Sequence, residues 1–209
     1  EQGCTKVICC ASIIDGVPLF LKGKGSGWLT TEYSMLPSST RERNLREATR
    51  GRQNGRTIEI QRIIGRVLRS ALDLTKIKDK TLIIDCDVIQ ADGSTRTASI
   101  NGAYIALKMM LNNLLKNGMI AKNPLIHHIA AVSIGIVNGT TLLDLTFEED
   151  SNATVDLNIV MNDKNEYIEV QGGAEKGVFS HSQFEEILIL ANSGIKEVIN
   201  YQKQCLLSV

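Results

Sequence analysis

The chain predicts an α/β fold of the α+β-like kind, a mixed sheet with helices packed against it, and three observations carry that expectation. Apolar strand-like segments interleave with segments whose apolar residues recur at helical spacing. Asn138-Gly139 lies between two apolar runs and is a strong two-residue hairpin signal, and Asn162 to Asn165 reads as a second hairpin turn. Hairpins demand antiparallel neighbours, so the sheet is expected to be mixed. No linker splits the chain, and residues 1–209 are expected to form one domain.

In chain order, strands are expected at Lys6–Ile13, Thr81–Ile89, Ile129–Val137, Thr140–Leu145, Thr154–Met161 and Glu166–Val170. A first helix is read from Ile60, Ile63, Ile64, Val67, Leu68 and Ala71, with Arg62, Arg66 and Arg69 off that stripe. A second follows Asp92-Gly93-Ser94-Thr95 and runs to about Leu115, with Gly118 as its stop. The third is expected to begin at Ser182, which forms a Ser-x-x-Glu capping box with Glu185.

Composition narrows the class. Apolar residues make up 43% and charged residues 22%, which excludes global disorder, while 4% aromatics argue against successive base-stacking platforms. Cys4, Cys9, Cys10, Cys86 and Cys205 show neither a disulfide framework nor zinc spacing, and they read as buried thiols of a reducing cytosol. Apolar runs such as Ile129–Val137 are too short to span a bilayer, so a cytoplasmic protein with no membrane partner is expected. Glu1 to Thr5 lead almost directly into a strand without an initiator Met, and the chain is read as lacking its natural N-terminus.

Charge balances at 23 basic against 23 acidic residues, but not locally. Nine arginines against three glutamates give Arg41–Arg69 a net +6, and eight acids against Lys164 give Asp144–Glu169 a net −7. Arginine rather than lysine favours bidentate contact with phosphate. A phosphate or RNA surface is therefore expected, with a subunit boundary as the rival reading.

Two constellations carry chemistry. Thr81 to Thr97 reads as a strand, a small-residue turn and a helix start, where free N–H groups and the helix dipole attract an anion. Thr95 adds a hydroxyl and Arg96 a charged fork; the competing reading is an ordinary cap with Arg96 in solvent. Walker-loop glycines are missing, which disfavours a nucleoside triphosphate. The second constellation is Asp150 and Asp156, two carboxylates near a strand start that can share a Mg²⁺ ion. Alternation puts Asp156 on the polar face with Thr154 and Asn158. His127-His128 is a poor metal pair, no Gly-x-Ser-x-Gly elbow is present, and Cys86 between Asp85 and Asp87 is a poor nucleophile.

Four segments then resemble one family. Gly27 to Pro37 resembles its GWLTAEYxMLP segment, Gly55 to Arg66 its GRTxEIQRLIGR, Asp85 to Ala98 its DCDVxQADGGTRTA, and Glu169 to Glu175 its EVQGTAE. Together and in order they resemble bacterial ribonuclease PH. The resemblance implies a β-α-β-α domain, a homo-hexamer built as a trimer of dimers, and a phosphorolytic 3′→5′ exoribonuclease. Such an enzyme trims tRNA precursors and other structured RNA 3′ ends with inorganic phosphate and releases nucleoside diphosphates. It implies phosphate binding at Arg56, Ser94, Thr95 and Arg96, catalytic and Mg²⁺-binding roles for Asp150 and Asp156, and RNA contact at Arg43 and Arg46, with Arg41 as a neighbouring candidate.

The chain departs from that pattern in four places. Ser38 stands where the family has an arginine implicated in tRNA contact, Ser94 replaces a glycine of the phosphate turn, and Gly173 replaces a threonine. The family's opening strand is missing, which is expected to leave a neighbouring strand as an open edge. A non-catalytic RNA-binding ring subunit of an exosome-like assembly is the alternative function. Retention of both halves of the site argues against it.

Overall fold

The computed structural model describes residues 1–207. Strand β1 (Lys6–Asp15) turns Val7, Cys9, Ala11 and Ile13 to the core and leaves Ile8 and Ile14 exposed. β2 (Trp28–Met35) buries Leu29, Thr31 and Tyr33, the period-2 pattern of a half-buried strand. The expected strands did not include β2. A short helix, α1 (Glu47–Arg50), and the amphipathic α2 (Gly55–Ser70) lead to β3 (Lys80–Gln90). β3 pairs antiparallel with β1 and parallel with β2, so this three-stranded sheet is mixed. Both β1 and β2 are edges of it.

Helix α3 (Thr95–Lys116) separates this sheet from a second one. That sheet has the order β5-β4-β6-β7 and is antiparallel throughout, from β4 (Ile129–Val137), β5 (Thr140–Leu143), β6 (Val155–Asn162) and β7 (Tyr167–Ala174). Asn138 and Gly139 both have positive φ and close the β4–β5 hairpin as expected. β5 ends before the expected Leu145, where Asp144 takes a left-handed φ of 58°. Helix α4 (Phe147–Asn152) precedes β6, and α5 (His181–Leu207) covers the second sheet. The cap of α5 differs from expectation. Ser180 and Gln183, not Ser182 and Glu185, form the reciprocal box, with Gln183 N donating to Ser180 Oγ at 3.2 Å and Ser180 N to Gln183 Oε1 at 2.8 Å.

Two apolar clusters result. One packs α2 and α3 on the first sheet; the other packs α5 on the second. Asn101 of α3 ties the two layers together. Its amide donates to Ala131 O at 2.9 Å and accepts from Ala131 N at 2.8 Å, while also donating to Gln2. The cysteines need correction: Cys86 is buried, but Cys4 and Cys10 are exposed. No helix among the described residues is long and apolar enough to cross a membrane.

Candidate active site

The strand–turn–helix at Asp92 to Thr97 forms because the chain must reverse between β3 and α3 in very little space. A Cβ on Gly93 (φ 93°) would lie 2.4 Å from Leu145 O, so only glycine fits. Thr5 anchors the turn, donating through Oγ1 to Gly93 O at 2.6 Å and accepting from Asp92 N at 2.9 Å. Ser94 follows in the left-handed region, φ 50° and ψ 23°, and makes no side-chain cap. Its hydroxyl is buried without a protein partner. The first turn of α3 thus keeps donors and a positive dipole end uncapped by any side chain. Thr95 is buried and its Oγ1 accepts from Tyr33 OH at 3.1 Å.

A cleft of about 1010 Å³ opens beside this turn. Its lining includes Arg56, Ser94, Thr95, Asp150 and Arg46 among the expected site residues, together with Glu32, Asp85 and Asp87 of the first sheet. Arg96 is not in solvent. Its Nη2 lies 3.1 Å from both carboxylate oxygens of Glu59, and only 13% of its side chain is exposed.

Asp150 lies shortly before the start of β6, as expected, on α4, whose capping box pairs Thr146 with Glu149. Asp156 sits on β6 between Gly135 of β4 and Gly173 of β7, so neither strand neighbour has a side chain beside it. Asn158, expected on the same polar face, is buried. Burial raises the Asp156 carboxyl to about 6, with the Asp150 and Glu175 charges pushing the same way and Arg96 and Arg56 opposing. Asp150 is raised by burial and Glu175, again against Arg56 and Arg96. The two aspartates and the two arginines therefore act on one another across the two layers. No group of three His, Cys, Asp or Glu side chains placed to hold a metal ion exists among the described residues.

The expected RNA-contacting arginines separate. Arg46 lines the cleft. Arg41 pairs with Glu148 at 2.7 Å and lies 5.9 Å from the Phe147 ring centroid. Arg43 is exposed and lies outside the lining. Arg66 pairs with Glu169 at 2.6 Å. Part of the opposed charge between Arg41–Arg69 and Asp144–Glu169 is thus spent joining the layers rather than on an external partner.

Sequence reasoning passed over Glu59, Gln171 and Tyr33. Glu59 accepts from Arg96 and from Gln171 Nε2. Burial opposes its ionisation, but Gln171, Arg96 and Arg56 outweigh burial and lower its pKa. The available signal was Glu59 itself, an acid on an arginine-rich helix. The Cys86 thiol is pushed up, the direction expected: its contact with Cys9 (Sγ–Sγ 3.8 Å), burial and the flanking aspartates all act that way, which disfavours the thiolate.

Models of the 3′ exoribonuclease family match residues 1–111 as domain 1 and 127–194 as domain 2. A curated relative, "Ribonuclease PH" of Halalkalibacterium halodurans, is 55% identical over 205 residues, 98% of this chain and 80% of that protein. Among solved structures, the Archaeoglobus fulgidus exosome with RNA bound to the active site superposes with a TM-score of 0.78 at 20% identity, covering 96% of this chain and 80% of the other. Rice Rrp46 gives 0.74 at 19%, covering 99% and 85%. These two likenesses speak to the fold. With both halves of the family present in order and a relative identical at more than half its aligned positions, the chain belongs to the 3′ exoribonuclease family, in its ribonuclease PH branch, and is a phosphorolytic 3′→5′ exoribonuclease.

Proposed function

We propose that Arg56, Ser94, Thr95 and Arg96 hold inorganic phosphate beside the last phosphodiester of an RNA 3′ end, and that tRNA precursors are the substrate. The observation that carries this reading is the cleft that brings Arg56, Ser94 and Thr95 together with Asp150; Arg96 and Asp156 lie outside its lining, and the Arg96 charge acts on both aspartates. In the reaction a phosphate oxygen attacks the terminal phosphorus in line. The bond to the penultimate 3′ oxygen breaks, and a nucleoside diphosphate leaves. The arginine forks and the uncapped start of α3 orient the attacking anion and offset charge repulsion against the phosphodiester. No protein nucleophile is used, in keeping with the disfavoured Cys86 thiolate.

Asp150 and Asp156 offer two oxygen donors for a divalent cation, with the charge of Asp150 acting on Asp156; no third His, Cys, Asp or Glu among the described residues joins them, so other ligands would be water or substrate oxygens. They would hold Mg²⁺, which when bound supplies charge neutralisation at the departing oxygen. Arg46 and Arg43, with Arg41 when released from Glu148, would track the RNA backbone without reading bases. A homo-hexamer in the cytoplasm is part of the same proposal. So is one catalytic unit over residues 1–209, supported by the Asn101 contacts that join the layers.

The direct test follows products with and without phosphate. Nucleoside diphosphates released only with phosphate are expected. Monophosphates released without it would overturn the reading, and RNA binding with no release would favour the ring-subunit alternative. Arg96→Ala is expected to impair phosphate use far more than RNA binding.

A further inference from the structure

We infer that Glu59 and Gln171 are positioning residues for the phosphate site, setting the direction in which Arg96 presents its guanidinium. This rests on the proposed role of Arg96 in holding phosphate. Glu59 sits about one turn into α2, three residues after Arg56. It takes one nitrogen of Arg96, Nη2, at 3.1 Å to each carboxylate oxygen. The guanidinium is planar, so holding Nη2 between both oxygens pins that end of the fork beside Glu59 and restricts where the remaining donors can lie. Arg96 Nε is buried and has no protein partner. A buried charged donor left without a partner is costly unless something else accepts from it, and an anion at the α3 start would do so.

Gln171 locks Glu59 from the opposite layer. Its Nε2 donates to Glu59 Oε1, and the reverse amide orientation would set two oxygens against each other. Gln171 is held in turn by the approach of β7 to β6. It pairs with Asn158, and next to it Gly172 (φ 125°) passes so near β6 that a Cβ would lie 2.0 Å from Asp156 O. The series Asp156–Gly172–Gln171–Glu59–Arg96 therefore runs from the acidic half of the site to the phosphate half through Gly172, Gln171 and Glu59, none of which is assigned a contact with substrate. Neutralising Glu59 would leave Arg96 charged but free to swing away from the attacking geometry.

The test is steady-state kinetics on the intact protein with inorganic phosphate and tRNA varied separately. Glu59→Gln is expected to raise the KM for phosphate about tenfold, as loss of a supporting partner does at ion sites, with kcat at saturating phosphate and the KM for RNA little changed. Gln171→Ala, which alters no charge, is expected to move the same constant in the same direction by less. In an Arg96→Lys background, where the fork is gone, Glu59→Gln should add almost nothing further to the phosphate KM. A full additional effect there would overturn the inference. So would a parallel fall of phosphate use, RNA affinity and melting temperature in Gln171→Ala, which would mark a purely structural contact. If Arg96→Ala raises the phosphate KM while Glu59→Gln leaves it unchanged, positioning alone fails. An unchanged phosphate KM in Arg96→Ala overturns the phosphate assignment itself.

Discussion

Asp156 on β6 is lifted to a pKa of about 6 by burial and by the charge of Asp150, which reaches it from α4. The same pair is opposed by Arg56 and Arg96 from the other layer. Ionising Asp156 therefore costs the folded state, through burial first and carboxylate repulsion second, and a cation at the pair would relieve that cost.

The sign of that cost can be worked out. An unfolded aspartate titrates near about 3.9, so between roughly pH 4 and pH 6 the folded chain holds a proton on Asp156 that the unfolded chain has released. The stability contributed by that proton is complete below about pH 4 and is lost as pH rises to about 6. Asp156→Asn escapes the loss. Without added divalent metal, its denaturation midpoint should exceed that of the wild type at pH 7.5, with the gap closing toward pH 4. Activity runs the other way, rising through pH 6 as the carboxylate forms. A stability gap independent of pH would rule this out.

Ser94 holds a left-handed backbone that costs a non-glycine residue about 1–2 kcal/mol, and its buried hydroxyl has no protein partner. Ser94→Gly removes both penalties but adds freedom to the unfolded chain. A net gain on the order of 1 kcal/mol in chemical denaturation is expected. A large rise in the phosphate KM of this variant would assign the hydroxyl a direct part in binding.

Gly172 and Gly173 are adjacent but should respond oppositely to a side chain. Gly172 has a positive φ and no room beside Asp156 O, so Gly172→Ala should cost more than about 3 kcal/mol or prevent folding. Nothing lies within 4 Å of a Cβ built on Gly173, so Gly173→Thr, restoring the residue of the EVQGTAE pattern, should fold with little change in melting temperature.

Asn101→Ala would leave the Ala131 N–H and C=O without side-chain partners between α3 and β4. Burial of two unsatisfied groups should cost about 2–4 kcal/mol, read as a shift in denaturant midpoint. If the two layers unfold as one unit, the wild type shows a single transition by every probe. Two separated transitions would count against the single unit.

Arg43 makes a more discriminating probe of RNA contact than Arg41, which is already engaged by Glu148 and Phe147. Arg43→Ala should weaken tRNA binding and reduce the slope of log affinity against log salt by about 0.7–0.9. An unchanged slope would remove Arg43 from the RNA path.

The outline of the fold was legible because its signals are local. Asn138-Gly139 closes its hairpin by intrinsic φ preference, and the Ile60–Ala71 stripe is a period in the sequence itself. β2 carries the alternation of a half-buried strand, but one of its three buried positions is the polar Thr31, which breaks the apolar series that marks the other strands. The α5 cap was misplaced because two overlapping serine boxes start two residues apart, and only packing selects Ser180. Of the site, charge and turn chemistry marked Arg96 and Asp156. What they could not mark was Glu59 with Gln171, 112 residues apart in sequence, since nothing local announces a contact made by folding.

The hydrogen bond of Gln171 to Glu59 and the pairs Arg66–Glu169 and Arg41–Glu148 all run from the first layer to the second. The proposed reaction centre is therefore a seam, with the residues proposed to hold phosphate on one bank and the paired aspartates on the other. Neither bank alone carries every proposed site residue. The stretch from Asn117 to His128, which links α3 to β4 and lies mostly between the two matched family regions, carries none of the site residues. It is nevertheless anchored to the first layer, Asp73 N donating to Pro124 O at 2.7 Å and Ile126 N to Ala71 O at 2.9 Å with Ile120 buried in the first core, so the link that sets the spacing of the two banks is held by packing and not by the site.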